Sequence, residues 1–311
     1  MSTQQFRARH TARIKGTGER NGRLSVFLGD RVLTQTHRGH VIYTIPHDLD
    51  LTPSLLLHGR WESHVEASLT ALVRPGDTVI DVGSNIGYHT LAMAAAVGPD
   101  GHVHAFEANP DVMRLLRATM FVNGFSSWLG SGRVCLYQSA VLDKAGVITL
   151  ASAPGHYGSG HVLPNQTSFH PAYSTRMEVP AVVLDMELAD RVVDVIHMDV
   201  EGSEPLVLHG AQMLIERSPH IKIISEWSVA MMKARVRVEE YISWLVERDF
   251  KFWLIESDGA LTKVDRSKLL ELPLCDLVFS RTELRTHPWR QSSRQLRRLL
   301  ELCRRRFVQD D

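Results

Sequence analysis

Apolar and β-branched residues between Arg23 and Asp48 come in short clusters: Leu24, Val26 and Phe27, then Val41, Ile42, Tyr43 and Ile45. Gly29-Asp30 and Gly39 separate them, and clusters split by turn residues predict a small antiparallel β lead-in. Over 60–73 the period changes. Trp61, Val65, Leu69 and Leu72 recur at helical spacing, and Pro75-Gly76-Asp77 ends that helix. Beyond it, strands and helices alternate. Thr78–Val82 is a short apolar run, followed by a glycine turn and a helix to Val97. His102–Phe106 predicts a second strand, and Asp111–Asn123 a second helix behind Asn109-Pro110. Val134–Val141, Val147–Leu150, Asp194–Val200 and Ile221–Ser225 read as further strands, with a helix near Glu204–Arg217 between the last two. This alternation predicts a largely parallel α/β sheet covered on both faces. Phe250–Ile255 and Leu274–Phe279 have no clear helix between them, so the chain's last strands are expected to pair antiparallel.

Three stretches fall outside the alternation. Residues 1–22 are polar, with Gly16, Gly18 and Gly22, and read as a flexible arm. Residues 152–176 are rich in Gly, His, Ser, Pro and Tyr, and connections of that length are commonly lids or binding loops. His156, Tyr157, His161, His170 and Tyr173 make this segment the expected substrate loop. The tail, 281–311, holds nine arginines, and Leu296, Leu299, Leu300, Cys303 and Phe307 could share one apolar helix face. Such a basic helix could pack on its own domain, pair two copies as a homodimer, or meet an acidic lipid or nucleic acid. Glu283, Glu301, Asp310 and Asp311 dilute its charge against the last. The expected organisation is therefore an arm (1–22), a β lead-in with a helix (23–75), the main α/β domain (76–280) and a basic helical tail (281–311).

The 311 residues carry 35 Lys and Arg against 35 Asp and Glu, so no polyanion is indicated as a partner and nucleic acid is not expected. Cys135, Cys275 and Cys303 lie far apart with no zinc-site spacing, which fits reduced thiols. No apolar run reaches the ~20 residues of a membrane span, and the basic N-terminus has no apolar stretch behind it. A cytoplasmic protein is the expectation.

Candidate chemistry begins at Asp81-Val82-Gly83-Ser84-Asn85-Ile86-Gly87, between the first strand of the main domain and its helix. In an open parallel sheet this is the crevice where ligands bind. Gly83 and Gly87 let the backbone bend sharply beside a ligand. Glu107 ends the next strand, where an acidic residue hydrogen-bonds vicinal ribose hydroxyls. A dinucleotide site needs G-x-G-x-x-G facing a pyrophosphate, but this turn has two glycines and an acid, Asp81, at its mouth. That carboxylate would repel phosphate and attract an ammonium. The pattern favours S-adenosylmethionine over a nicotinamide dinucleotide.

The run Arg74-Pro75-Gly76-Asp77 followed by Asp81 to Thr90 closely resembles the first motif of the FkbM family of methyltransferases. So do His104-Ala105-Phe106-Glu107-Ala108-Asn109-Pro110, Ser139 to Gly146, and His197-Met198-Asp199-Val200-Glu201-Gly202-Ser203-Glu204 with Gly210-Ala211 behind it. Gly59-Arg60-Trp61-Glu62 is similar to a lead-in of that family, and the resemblance runs from about residue 24 to 280. One departure is Ser84, where the family more often has Ala. The resemblance implies a class I methyltransferase (Rossmann-like) fold, a seven-stranded sheet with an antiparallel last strand. It also implies a cofactor set of Glu62, Asp81, Gly83, Asn85, Gly87, Tyr88, Thr90, Glu107, Ala108, Ser139 and Ala140. Within that set Asp81, Gly83, Asn85 and Gly87 would cradle the methionine end, Glu107 the ribose, and Ser139-Ala140 the adenine.

Methyl transfer to a hydroxyl needs alignment and a general base. Asp199 and Glu201 stand at the end of the fourth strand and Glu226 at the end of the fifth. Asp199 is the expected base, with Glu226 or Glu201 orienting the acceptor. His197 reads as a satisfied buried histidine. Asp199 and Glu226 could instead hold Mg²⁺, a reading that the sequence does not favour. The resemblance implies a sugar, glycan or polyketide-type hydroxyl as acceptor. A nitrogen acceptor on nucleic acid or protein is the alternative, but the fourth strand ends in Asp199-Val200-Glu201-Gly202 in place of the Asn/Asp-Pro-Pro-aromatic run suited to planar amino groups. A third reading is a protein that binds the cofactor without turnover.

Overall fold

The computed structural model describes residues 24–126, 132–158, 160–163 and 175–284. The predicted arm, nearly all of the basic tail, and His170 and Tyr173 lie outside them. Strands β1 (Val26–Phe27), β2 (Val32–Gln35) and β3 (Val41–Thr44) form the antiparallel lead-in. Val32, Thr34, Ile42 and Thr44 alternate inward, as a half-buried strand requires. Helix α1 (Leu51–His58) follows, and the sequence reading does not include it. Asp48 starts this helix by accepting the Thr52 N–H at 2.7 Å, and Gly59, at φ 62°, ends it. Helix α2 (Ser63–Leu72) lies where the apolar spacing puts it.

In the main domain β4 (Thr78–Val82), α3 (Tyr88–Ala96), β5 (His102–Phe106), α4 (Pro110–Val122) and β6 (Val134–Tyr137) build one half of a parallel sheet. Asn109 caps α4 through the Asp111 N–H, with Pro110 in its first turn. The chain then leaves the sheet. β7 (Ala140–Val141), β8 (Gly146–Ser152), β9 (His161–Val162) and β10 (Thr175–Val182) form a separate four-stranded sheet ordered β7-β10-β8-β9. The segment 152–176 is therefore not one long connection: His161–Val162 pairs with β8, and β10 was unanticipated. Pro180 inside β10, and the exposure of half of its residues, disguise that strand in the sequence.

The second half of the main domain runs α5 (Leu184–Glu187), β11 (Val195–Met198), α6 (Glu204–His209), α7 (Gln212–Arg217), β12 (Lys222–Trp227), α8 (Val229–Met232), α9 (Val238–Glu247), β13 (Lys251–Ile255), β14 (Leu261–Val264) and β15 (Cys275–Ser280). The main sheet is ordered β14-β13-β15-β12-β11-β4-β5-β6. It has eight strands where seven were expected. The extra strand is β14, a four-residue edge strand with one buried position, too weak a pattern to read. The last strand, β15, is antiparallel to both β12 and β13, as expected.

Neighbouring residues of the central strands feed opposite cores. Ile80, Ile196 and Ile223 pack with Leu208, Leu214, Tyr241 and Leu245. Val79, Val195 and Ile224 pack with Leu69, Leu91, Met93 and Leu116. Each such side chain contributes roughly 1.5–3 kcal/mol when fully buried. Burial on both faces is why these strands read as unbroken apolar runs. No helix among the described residues is long and apolar enough to cross a membrane.

Candidate active site

The carboxyl ends of β4, β5, β11 and β12 meet on one edge of the sheet, and two adjoining cavities open there. The first is lined by Gly83, Asn85, Glu107, Ala108, Ser139 and Ala140, with Tyr157, Gly158, Gly160 and Val162 of the smaller-sheet region across from them. The second is lined by Glu62, Asp81, Tyr88, His89, His197, Asp199, Glu201 and Glu226, together with Asp50 and Trp61. Gly83, Asn85, Gly158 and Asp199 line both. No lysine or arginine lines either cavity among the described residues.

The bend between β4 and α3 explains its own sequence. Gly83 sits at φ +82°, and a Cβ there would lie 2.0 Å from the Asp199 carbonyl oxygen. Glycine is needed because the backbone after β11 presses on this turn. Gly87, at φ +96°, lines neither cavity; a Cβ there would strike Leu116 and Met120. Its role is to seat α3 against α4. Asn85 takes a left-handed φ of 49°, donates its backbone N–H to Glu107 Oε2 at 2.9 Å, and reaches the Tyr157 carbonyl with Nδ2. Glu107 also accepts the Asn109 N–H at 2.7 Å. Burial, with the Asp81 charge adding to it, pushes the Glu107 carboxyl up to about 7, against the pull of those N–H donors.

Asp81 is not the free carboxylate expected at the mouth of the turn. It is fully buried, with Oδ1 2.8 Å from His197 Nδ1 and Oδ2 accepting the Thr90 hydroxyl. Burial works to raise its carboxyl, but these partners outweigh burial and hold it below the ordinary value. The same contact outweighs burial at His197 and raises its imidazole. His197 is thus buried, as read, with Nδ1 bonded to Asp81. Thr90 lines neither cavity and acts through Asp81. Tyr88 turns its hydroxyl away to the buried Glu66, at 2.6 Å. Glu62, at a left-handed φ of 38°, pairs with His89 Nε2 at 3.0 Å.

Asp199, Glu201 and Glu226 come together on the second cavity, as the strand ends implied. Burial, then the Glu226 charge, holds the Asp199 carboxyl well above the carboxylate range. Burial and the neighbouring Glu201 raise Glu226 to about 9, and burial with Glu204 raises Glu201 to about 7. One oxygen of Glu226 is buried without a hydrogen-bond partner among the described residues.

The loop residues are placed differently from the expectation. Tyr157 lines the first cavity, and its hydroxyl lies 2.9 Å from His47 Nε2. His156 and His161 line neither cavity, and His156 pairs with Asp50 at 2.8 Å. His89 and Asp50, which do line the second cavity, were missed. His89 follows the glycine turn directly and could have been read as facing its ligand. Nothing in the sequence points to Asp50, which reaches the cavity through the unanticipated α1.

A cleft at the strand ends of this sheet, lined by acids and by no lysine or arginine among the described residues, suits a positively charged, phosphate-free nucleoside. S-adenosylmethionine is such a molecule. Comparison with known proteins agrees: residues 81–252, more than half of the chain, match the methyltransferase FkbM domain. The chain belongs to the FkbM methyltransferase family.

Its sequence is 36% identical over 107 residues to 31-O-demethyl-FK506 methyltransferase FkbM of Streptomyces tacrolimicus, which is 34% of this chain and 35% of that one. It is 35% identical over 104 residues to protein-L-isoaspartate O-methyltransferase of Methanothrix thermoacetophila, 31% of this chain and 49% of that one. The chain therefore spans about half or less of the length of these relatives. Among solved structures, an S-adenosylmethionine-dependent O-methyltransferase of Thermotoga maritima aligns with a TM-score of 0.40 and 14% identity, over 85% of this chain and 87% of that one. Aeropyrum pernix fibrillarin with natively bound S-adenosyl-L-methionine aligns with a TM-score of 0.39 and 11% identity, over 81% of this chain and 94% of that one.

Proposed function

We propose that this protein methylates a hydroxyl group of a sugar, glycan or polyketide-type natural product. The observation that carries the reading is the group of raised carboxylates, Asp199, Glu201 and Glu226, on a cavity that adjoins the nucleoside cleft. S-adenosylmethionine, when bound, supplies a methyl group already activated on a positively charged sulfur. What remains for the chain is to hold that molecule, align the acceptor and take its proton.

Glu107 is suited to the ribose hydroxyls, Gly83 and Asn85 to the bend of the molecule, and Ala108, Ser139 and Ala140 to the adenine face. Asp199 is the proposed base. An ordinary carboxylate is a poor proton acceptor for an alcohol, and burial beside Glu226 makes Asp199 more basic. Glu226 and Glu201 are suited to accept hydrogen bonds from the acceptor's other hydroxyls. The absence of lysine and arginine from the described walls argues against a nucleic acid acceptor, whose phosphates these acids would repel. The name of the Streptomyces relative, 31-O-demethyl-FK506 methyltransferase FkbM, supports an oxygen acceptor.

The test is a panel of hydroxylated acceptors and matched amines with methyl-labelled cofactor, the label located by mass spectrometry. Label on oxygen is the expected result. Label only on nitrogen would overturn the reading.

A further inference from the structure

The amino-acid end of S-adenosylmethionine carries an ammonium and a carboxylate, and the second cavity suits them unequally. Asp50, Glu62, Asp199, Glu201 and Glu226 on its walls favour the ammonium. The carboxylate finds no counter-charge among them, and no lysine or arginine is among the lining residues to supply one. Two side chains on that wall can carry positive charge: His89 and His197. Their rings meet edge to face with centroids 5.1 Å apart. Each is tied to its own acid, His197 Nδ1 to Asp81 at 2.8 Å and His89 Nε2 to Glu62 at 3.0 Å. His89 Nδ1 is buried with no partner among the described residues, and the Asp81 bond leaves Nε2 as the free nitrogen of His197. Both imidazoles are nine-tenths buried or close to it, so neither is a solvated surface group.

We propose that His197 and His89 together hold the α-carboxylate of the cofactor, with Asp81 and Glu62 as positioning residues that orient each imidazole. This rests on the chain being an S-adenosylmethionine-dependent enzyme, and it assigns Asp81 a different task from binding the ammonium directly. The acid at the start of the glycine turn acts through His197. The ammonium is left to the carboxyl oxygens of the same wall.

The sign of one comparison decides it. In this cavity without an anion anchor, removing the carboxylate from a ligand would leave binding unchanged or improve it. With the histidine pair as anchor, the same removal weakens binding. Calorimetry on the full chain would use three probes: S-adenosylhomocysteine, its decarboxylated analogue 5′-deoxy-5′-(3-aminopropylthio)adenosine, and methylthioadenosine, which has neither charge. The wild type is expected to prefer S-adenosylhomocysteine over the decarboxylated analogue by roughly 10- to 100-fold, the size of a charge-assisted hydrogen bond. His197→Gln should reduce that preference to within about threefold while binding methylthioadenosine as the wild type does. If His197→Gln fails to fold, His89→Gln is read in the same way. A wild type that binds the decarboxylated analogue as tightly or more tightly overturns the proposal, as does a preference that survives in His89→Gln and in a folded His197→Gln. If methylthioadenosine binds but no preference is found, only the histidine assignment fails. If no probe binds, the cofactor reading fails and this proposal with it.

Discussion

His197 Nδ1 lies 2.8 Å from Asp81 Oδ1, across the parallel register that sets these two residues side by side on β11 and β4. The pair is buried on the wall of the second cavity, and the bond leaves only His197 Nε2 outside it. Each partner favours the charged form of the other.

The first prediction concerns stability. Breaking a buried pair by removing one charge costs about 3–5 kcal/mol, so Asp81→Asn should lower the unfolding free energy by an amount near the low end, measured in urea. The pH dependence follows from the two shifts. The Asp81 carboxyl is lowered from its ordinary 3.8, so its contribution is present above that value and is lost as pH falls below it. The His197 imidazole is raised from 6.5, so its contribution is complete below that value and is lost as pH rises through the raised one. The pair's stabilisation should be complete between 3.8 and 6.5 and should disappear from the Asp81→Asn profile.

Asp199→Asn should reduce kcat by about 10²–10⁴, the usual scale for a lost general base. S-adenosylhomocysteine affinity should change little. In the wild type, Glu226 near 9 and Glu201 near 7 accompany a raised Asp199, so the rate should climb as pH passes neutrality. That climbing limb should be missing from Asp199→Asn. A variant at full speed with an unchanged pH profile would remove Asp199 from the mechanism.

Gly83→Ala should damage both fold and catalysis. Its Cβ would overlap the Asp199 carbonyl at 2.0 Å, at a φ that side chains rarely adopt. A loss of roughly 1–3 kcal/mol is expected for such overpacking, read as a lower melting temperature. Because the strained neighbour is the Asp199 backbone, kcat should fall even where the variant remains folded. Gly87→Ala meets only the ends of Leu116 and Met120, so it should cost stability with a smaller effect on kcat.

Excess chelator should leave the rate unchanged. Proton removal is assigned to Asp199 itself, a step that needs no metal. Loss of activity that Mg²⁺ restores would favour the metal reading of Asp199 and Glu226.

Much of this architecture could be read from pattern. The strands buried on both faces announced themselves as apolar runs, and β15 with β13 as a pair without a helix between them. β10 escaped because Pro180 and its exposed residues imitate a loop, and α1 because Pro53 stands inside a short first turn. At the site, Glu107, Asp199, Glu201 and Glu226 were legible because the ends of parallel strands must converge. The partner of Asp81 was not. Whether a carboxylate faces ligand or protein depends on the register between β4 and β11, which residue spacing within one strand does not encode. The same limit applies to Tyr157, which faces the nucleoside cavity because β8 and β9 fold back over it.

A cleft with this lining should hold a positively charged adenosine compound without phosphate. Calorimetric titration of the full chain with S-adenosylhomocysteine and, separately, with NAD tests it most directly. The account predicts firm binding of the first, weakened roughly 10- to 100-fold by Glu107→Gln through loss of its ribose contacts, and no measurable binding of the second. Tight NAD binding with S-adenosylhomocysteine ignored would contradict it.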